Sequence, residues 1–281
     1  MMRRRPRGIA LVMVLWTVAL LATVTAMAST AARSSAAVAA NTRAQSVARA
    51  MAESGVIAGT TLIDDSLRVF ANDRTRRDDF LARLEPALAS GEAFHLQDTL
   101  SDGVFAVTVV DVSARLDVND AGADGLATLF ATVAPPSQAR RLAERLDGLV
   151  RGEASMAAPQ DDRLRARDSL DAALLGREAS PRRRRPFESL DDVEDVAGAD
   201  AEVLARVATQ LTVDGDGRTN RRGASRAVLA AATGSLVDAP SRLLFVARGW
   251  QRGHPLSRQI EALYDVTDDG LHLVRWRERE R

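Results

Sequence analysis

The sequence predicts an α+β fold (mixed α/β content). A long N-terminal helix packs on a small antiparallel sheet, and an all-helical domain is inserted between the strands of that sheet. Three observations predict it. Gly8 to Ala32 is a run of 25 residues without a charge, and the chain continues to Phe70 without a proline. Strand-like runs fall into two separate groups, one before residue 111 and one after residue 242. Between them, apolar residues recur at helical spacing.

Composition excludes much chemistry. All 38 basic residues are arginine, and they balance 38 acids to a formal net charge of zero. A neutral chain has no global attraction for nucleic acid. Without lysine there is no Walker P-loop, Schiff base or kinase-type lysine. Without cysteine there is no disulfide, thiolate zinc site, iron–sulfur cluster or thiol nucleophile. His95, His254 and His272 are scattered, with no H-E-x-x-H and no G-x-S-x-G, so no enzymatic constellation emerges.

The first element carries the membrane signal. Arg3, Arg4, Arg5 and Arg7 precede the uncharged run, and the first acid is Glu53. At about 1.5 Å per residue the run is long enough to cross a hydrocarbon core of roughly 30 Å. The arginines place the N-terminus in the cytoplasm and the body of the chain beyond the inner membrane. Three readings of this segment compete. Ala26-Met27-Ala28 suits cleavage of a secretory signal, the segment could be a plain anchor, or a short basic leader could be cut between Gly8 and Ile9. The unbroken continuation favours the last, because a secretory signal ends at a turn.

That continuation reads as amphipathic, with Val47, Met51, Gly55, Ala58 and Leu62 on one stripe and Val56, Ile63 and Phe70 beside it. A short helix follows, capped by Asp78-Asp79 and carrying Phe80, Leu81, Leu84 and Leu88. Phe94-His95-Leu96 and Val104 to Val110 read as strands around Ser101-Asp102-Gly103. From Arg115 to Val213 the pattern is helical. Leu126, Leu129, Phe130 and Val133 form a stripe that ends at Pro135-Pro136, and Ser137 caps the helix bearing Leu142 and Leu146. Ser189-Leu190-Asp191-Asp192 is a near capping box. With Gly198 and Asp200 it outlines a helix-hairpin-helix whose turn is ringed by acids, an arrangement that opposes a phosphate backbone. A short helix at Ala227 to Ala232 precedes strands at Leu243–Ala247, Gln259–Val266 and Leu271–Trp276, the last two joined by Asp268-Asp269-Gly270.

The predicted organisation is a leader over 1–8, a transmembrane helix over 9–32, and a stalk helix with first strands over 33–114. The helical insert covers 115–213 and the remaining strands 214–281. Within the insert, Asp117-x-Asn119-x-Ala121 before Leu126 is echoed by Asn220-x-Arg222-x-Ala224 before Leu229. Asp214 and Asp216, in a glycine-rich turn, are the residues that could ligate calcium through oxygen. Arg182 to Arg185, flanked by Pro181 and Pro186, read as a solvated loop.

Four segments, in order, resemble the K-type minor pseudopilin family of type II secretion. The start Arg7-Gly8-Ile9-Ala10-Leu11-Val12-Met13-Val14-Leu15-Trp16 is the first. The second is Ala48-Arg49-Ala50-Met51-Ala52-Glu53-Ser54-Gly55-Val56, similar to the family's A-R-A-x-A-E-x-G-V. Asp111-Val112-Ser113-Ala114-Arg115-Leu116-Asp117-Val118-Asn119 is similar to D-E-x-G-R-I-D-L-N-T-A. The fourth runs from Pro186-Phe187-Glu188-Ser189-Leu190-Asp191-Asp192-Val193 through Val196-Ala197-Gly198 to Leu211-Thr212-Val213. The chain departs from the family at Asn220 to Ser225, where a second N-L-N-T-A-P is blurred, in its aromatic-poor Arg163 to Arg185, and in lacking the cysteine pair of some members.

The resemblance implies a pilin-like fold and a non-enzymatic subunit at the tip of a pseudopilus that exports folded proteins. It implies cleavage after Gly8, methylation of Ile9, and an inner-membrane anchor with a periplasmic C-terminal domain. The implied partners are I- and J-type minor pseudopilins, a leader peptidase and the inner-membrane assembly platform, with no nucleic acid and no cofactor beyond calcium at Asp214 and Asp216. Met13, fifth from Ile9, occupies the place where ordinary pilins carry glutamate. The alternative is a signal-anchored periplasmic binding or DNA-uptake component using the helical hairpin.

Overall fold

The computed structural model describes residues 7–70, 73–89, 96–100, 102–152 and 187–280. Helix α1 runs unbroken over Arg7–Val69, 63 residues, as the absence of proline allows. Helix α2 is Arg74–Ala89. Its N-terminus is held by Asp73, whose Oδ1 accepts the Arg76 amide at 3.1 Å, so the cap lies upstream of the expected Asp78-Asp79. An aspartate accepting the free amides of the first turn fixes the helix start, and Asp73 reaches them first.

Strands β1 (Leu96–Leu100) and β2 (Gly103–Asp111) form a hairpin. Phe94, His95 and Ser101 lie outside the described residues, as do the arginines at 182–185. Strands β7 (Arg242–Gln251), β8 (Ser257–Thr267) and β9 (Gly270–Glu280) complete a five-stranded antiparallel sheet of order β1-β2-β7-β8-β9. The strands overrun the apolar runs that announced them: on β9, Arg277 and Arg279 turn to the outer face while Glu278, opposite Ile260, meets Arg49 on the α1 side, and the ladder continues unbroken.

Strands β2 and β7 are neighbours, with Asp111 opposite Leu243. Everything between them leaves and re-enters the sheet at one point. This body contains β3 (Leu116–Asp117), α3 (Gly122–Phe130), α4 (Pro136–Arg151), α5 (Leu190–Ala197) and α6 (Ala201–Val207). It continues through β4 (Leu211–Thr212), β5 (Arg218–Asn220), α7 (Arg226–Ala231) and β6 (Ser235–Val237). The core of this body is helical, to which two short parallel strand pairs, β3 with β4 and β5 with β6, are added. Val228 and Ala231 share its core with Leu126, Phe130, Leu142 and Leu204, so the packed body runs past residue 213. Helix α4 begins with Pro135 as N-cap and Pro136 inside the first turn, where a missing amide costs nothing. Ser137 is therefore within the helix and is not its cap.

A second core lies between α1 and the sheet, with Ala52, Val56, Ile63 and Leu67 against Val107, Phe245, Ala247 and Ile260. The stripe that packs is Ala44, Ala48, Ala52, Val56, Ile63 and Leu67, with Gly55 and Gly59 buried beside it. Gly55, Val56 and Ile63 of the expected stripes are buried as read, but the packed face turns toward smaller residues than Val47, Met51 and Leu62, and Leu62 is exposed. The correction has a steric cause. At Gly249 of β7, an added Cβ would lie 2.2 Å from the Ala48 carbonyl oxygen and 2.3 Å from the Ala52 nitrogen. The backbones of helix and strand touch there, and only the smallest side chains fit between them.

Candidate membrane helix and head junction

The head buries α1 only from Ala44 onward; every residue from Leu11 to Arg43 is exposed, and Arg43 meets Asp102 of the β1–β2 turn at 3.3 Å on the surface. Trp16 and Met13 are 72% and 68% exposed. About 35 residues project from the head, roughly 50 Å at helical rise. One helix of the described chain is long and apolar enough to cross a membrane, and it is this one. The four threonines of the uncharged run send their hydroxyls to carbonyls one turn back: Thr17 to Met13, Thr23 to Ala19, Thr25 to Leu21 and Thr30 to Ala26, at 2.8 to 2.9 Å. An apolar surrounding therefore meets no unpaired threonine hydroxyl. Gly8 and Ile9 fall in the first turn of α1.

The family-like segments meet in the head. Leu116 and Asp117 pair with Leu211 and Thr212, and the Val118 amide donates to the Thr212 carbonyl at 2.9 Å. Asn119 donates through Nδ2 to the carbonyls of Phe187 (3.2 Å) and Val213 (3.1 Å), and its Oδ1 accepts the Phe187 amide at 2.8 Å. One amide side chain thus joins segments 68 and 94 residues away. Beside it, Asp117 accepts amides from Asn119 and Gly215 in a site where burial pushes its carboxyl up from 3.8 to about 7.

A second knot closes the junction with the sheet. Asp111, buried at the end of β2, accepts Ser113 Oγ at 2.5 Å and Asn220 Nδ2 at 2.7 Å. The Ser241 amide donates to Ser113 Oγ at 3.1 Å. Burial raises the Asp111 carboxyl above its ordinary value and lowers the nearby Arg115 guanidinium, which the Asp111 charge partly restores. Asn220 and Asp117 are the matched positions of the internal repeat. Each accepts the amide two residues on, at 3.1 and 2.8 Å, in an Asx turn that leads to α7 or α3.

Asp214 and Asp216 are both engaged by neighbouring groups of the head. Arg275 of β9 takes both Asp214 oxygens, at 2.5 and 2.6 Å, and Arg242 donates to the carbonyls of Asp214 (3.0 Å) and Gly215 (2.8 Å). Asp216 accepts the Arg218 amide at 3.1 Å. Two guanidiniums thus occupy the Asp214 carboxylate and the carbonyls of Asp214 and Gly215. Among the described residues no group of three or more acidic, histidine or cysteine side chains could hold a metal.

The helical hairpin forms as expected. Ser189 Oγ accepts the Asp192 amide, and Asp192 accepts the Ser189 amide at 2.8 Å in a full capping box. Gly198, at φ 53°, makes the turn. Arg145 donates to the Ala197 carbonyl and contacts Asp200, so the flank of the turn docks on α4 while Gly198 and Ala199 at its tip are exposed. The signal missed in the sequence is the arginine row on β9, where Arg277 reaches Glu188 and Arg279 reaches Asp191, tying α5 to the sheet.

No family model matches the chain, and no curated protein does either. Among solved structures, it is similar to a chain of the GspK-GspI-GspJ complex from the type 2 secretion system of enterotoxigenic Escherichia coli. The likeness covers 75% of this chain and 96% of that one, at 14% identity and a TM-score of 0.47.

Proposed function

We propose that the chain is a minor pseudopilin of the K type, anchored in the inner membrane by residues 9–32, with its head in the periplasm. In this reading it sits at the tip of a pseudopilus and supports export of folded proteins. One observation carries the proposal. A single helix is apolar and acid-free in its first half, exposed from Leu11 to Arg43, and forms the spine of a sheet head in its second half. The four sequence segments in family order add to it. The partners in this reading are I- and J-type minor pseudopilins, the leader peptidase and the assembly platform, and the chain has no enzymatic role.

Met13 supports the tip position in this reading. In a shaft subunit, a glutamate there would pair with the N-terminal amine of the subunit above. A tip subunit has none above it, and an unpaired carboxylate in an apolar surrounding costs several kcal/mol. Methionine avoids that cost.

The mature N-terminus tests the proposal. Intact mass should begin at Ile9, with methylation of its amine, and Gly8→Phe should retain the leader. A chain beginning at Met1 or near Ser29 overturns it. A reporter active only outside the cytoplasm, fused after Arg281, should work. Cross-linking from position 13 should capture smaller pseudopilins; a ladder of identical chains would make this a shaft subunit.

A further inference from the structure

The face of the sheet turned away from α1 carries a groove of ≈590 Å³. Strand alternation places it there: Phe105, Val107, Phe245, Ala247 and Ile260 point to α1, and the residues between them line the groove. Its size is in the roughly 300–1,000 Å³ range of ligand clefts. The floor is Ala106 and Val246, and Trp250 and Pro255 add apolar surface. Arg248 and His254 line it too; among the described residues no carboxylate does, and Glu261, opposite Val246, is held by Gln259 and Arg279.

Arg248 stands apart from the other outer-face arginines. Arg275 is paired with Asp214, Arg277 with Glu188, and Arg279 with Asp191 and Glu261. Among the described residues Arg248 has no acidic partner; its Nε donates to Ser257 Oγ at 3.1 Å, which leaves its terminal nitrogens for a ligand. The His254 Nδ1 accepts the Leu256 amide at 3.3 Å. A guanidinium and apolar surface without a carboxylate complement an anion attached to an apolar group. The strands beneath are paired on both sides, so the recognition is by side chains and not by strand addition.

We infer that this groove binds an acidic, extended peptide segment of a second protein, with a carboxylate on Arg248 and a neighbouring apolar side chain against Trp250 and Val246. The inference does not depend on the assembly proposed above.

The probe is a fluorescein-labelled five-residue peptide with two glutamates flanking a phenylalanine, titrated by anisotropy against the full chain in detergent micelles. It should bind at least tenfold more tightly than the same peptide with glutamines. Arg248→Met should weaken it roughly tenfold, and Arg248→Lys should restore part of the loss. Arg248 is exposed, so its variants should melt with the parent. Equal binding of the glutamine peptide, no binding of the glutamate peptide, or indifference to Arg248→Met overturns the inference. In a second arm, a photoreactive phenylalanine replaces Val246 and the chain is irradiated without peptide. An adduct to residues 153–186 would mean that the chain fills its own groove, and would overturn it as well; an adduct-free chain that still binds the peptide supports it.

Discussion

Gly249→Ala should damage the head more than its one methyl group suggests. The added carbon would sit 2.2 Å from the Ala48 oxygen, 2.3 Å from the Ala52 nitrogen and 2.8 Å from the Met51 carbonyl carbon, all backbone atoms of α1. Ordinary contact needs about 3.4 Å, so helix and strand must separate by about 1 Å. Neighbouring contacts leave no slack sideways, since Gly55 and Gly59 already lie against Phe105 and Phe245. The helix must lift, and Val56, Ile63 and Leu67 lose packing with it. Overpacking of this kind costs roughly 3 kcal/mol, at the upper end for an inserted methyl. At about 2–4 °C per kcal/mol for a chain of this size, the melting temperature should fall by roughly 6–12 °C. The assay is thermal unfolding of the full chain in detergent, followed by far-ultraviolet circular dichroism. Gly253→Ala is the comparison. Gly253 has φ +74° and no neighbour within 4 Å, so only the left-handed backbone penalty of about 1–2 kcal/mol applies. A Gly249→Ala melt within 2 °C of the parent, or a larger loss at Gly253, would refute the steric account.

Three further outcomes follow from the junction and the anchor. Asp117 has its pKa raised by burial from 3.8 to about 7, so its contribution to stability is full below about pH 4 and is lost as pH rises to about 7. Across that window the parent should lose up to roughly 4 kcal/mol relative to Asp117→Asn in denaturant titrations; a pH-independent difference would refute this. Arg275→Ala leaves the nearly buried Asp214 carboxylate without its partner and should cost roughly 3 kcal/mol or more. The double variant Asp214→Asn with Arg275→Met should recover part of it, as read by the same melts. If the proposed tip role holds, Met13→Glu should reduce or leave unchanged the initiation of pseudopilus assembly, measured by secretion; improved secretion would contradict that proposal.

Much of this architecture was legible from one-dimensional pattern. The long helix follows from the missing prolines, the hairpin from Asp268-Asp269-Gly270, and the capping box from Ser189 and Asp192. The helix stripe was not. Periodicity ranks residues by size, and Val47, Met51 and Leu62 outrank Ala44, Ala48 and Ala52 on any hydrophobic scale. The crossing at Gly249 inverts the ranking, and that glycine lies about 200 residues away along the chain. Separation along the chain, by 28 and 61 residues, also hid the role of Asp214. Two acids in a glycine-rich turn look like cation ligands until Arg242 and Arg275 arrive from strands that the local sequence does not mention.

The family-like segments are explained by the joints they make. Ala48, Ala52 and Gly55 are the small surface at which α1 crosses the sheet, while Arg49 and Glu53 pair along its outer side at 3.0 Å. Asn119 links Phe187 and Val213, and Asp111 links Ser113 and Asn220. These joints hold the second half of α1 rigidly to the head and stop at Ala44. The first half is left with an apolar surface, no acid, and threonine hydroxyls closed upon its own carbonyls. No described part of the head covers it. What covers such a surface must be apolar along some 25 residues and ask for no hydrogen bonds, which describes lipid tails or the like helices of other subunits. The sequence divides one helix into a half that folds the chain and a half that only an external partner can bury.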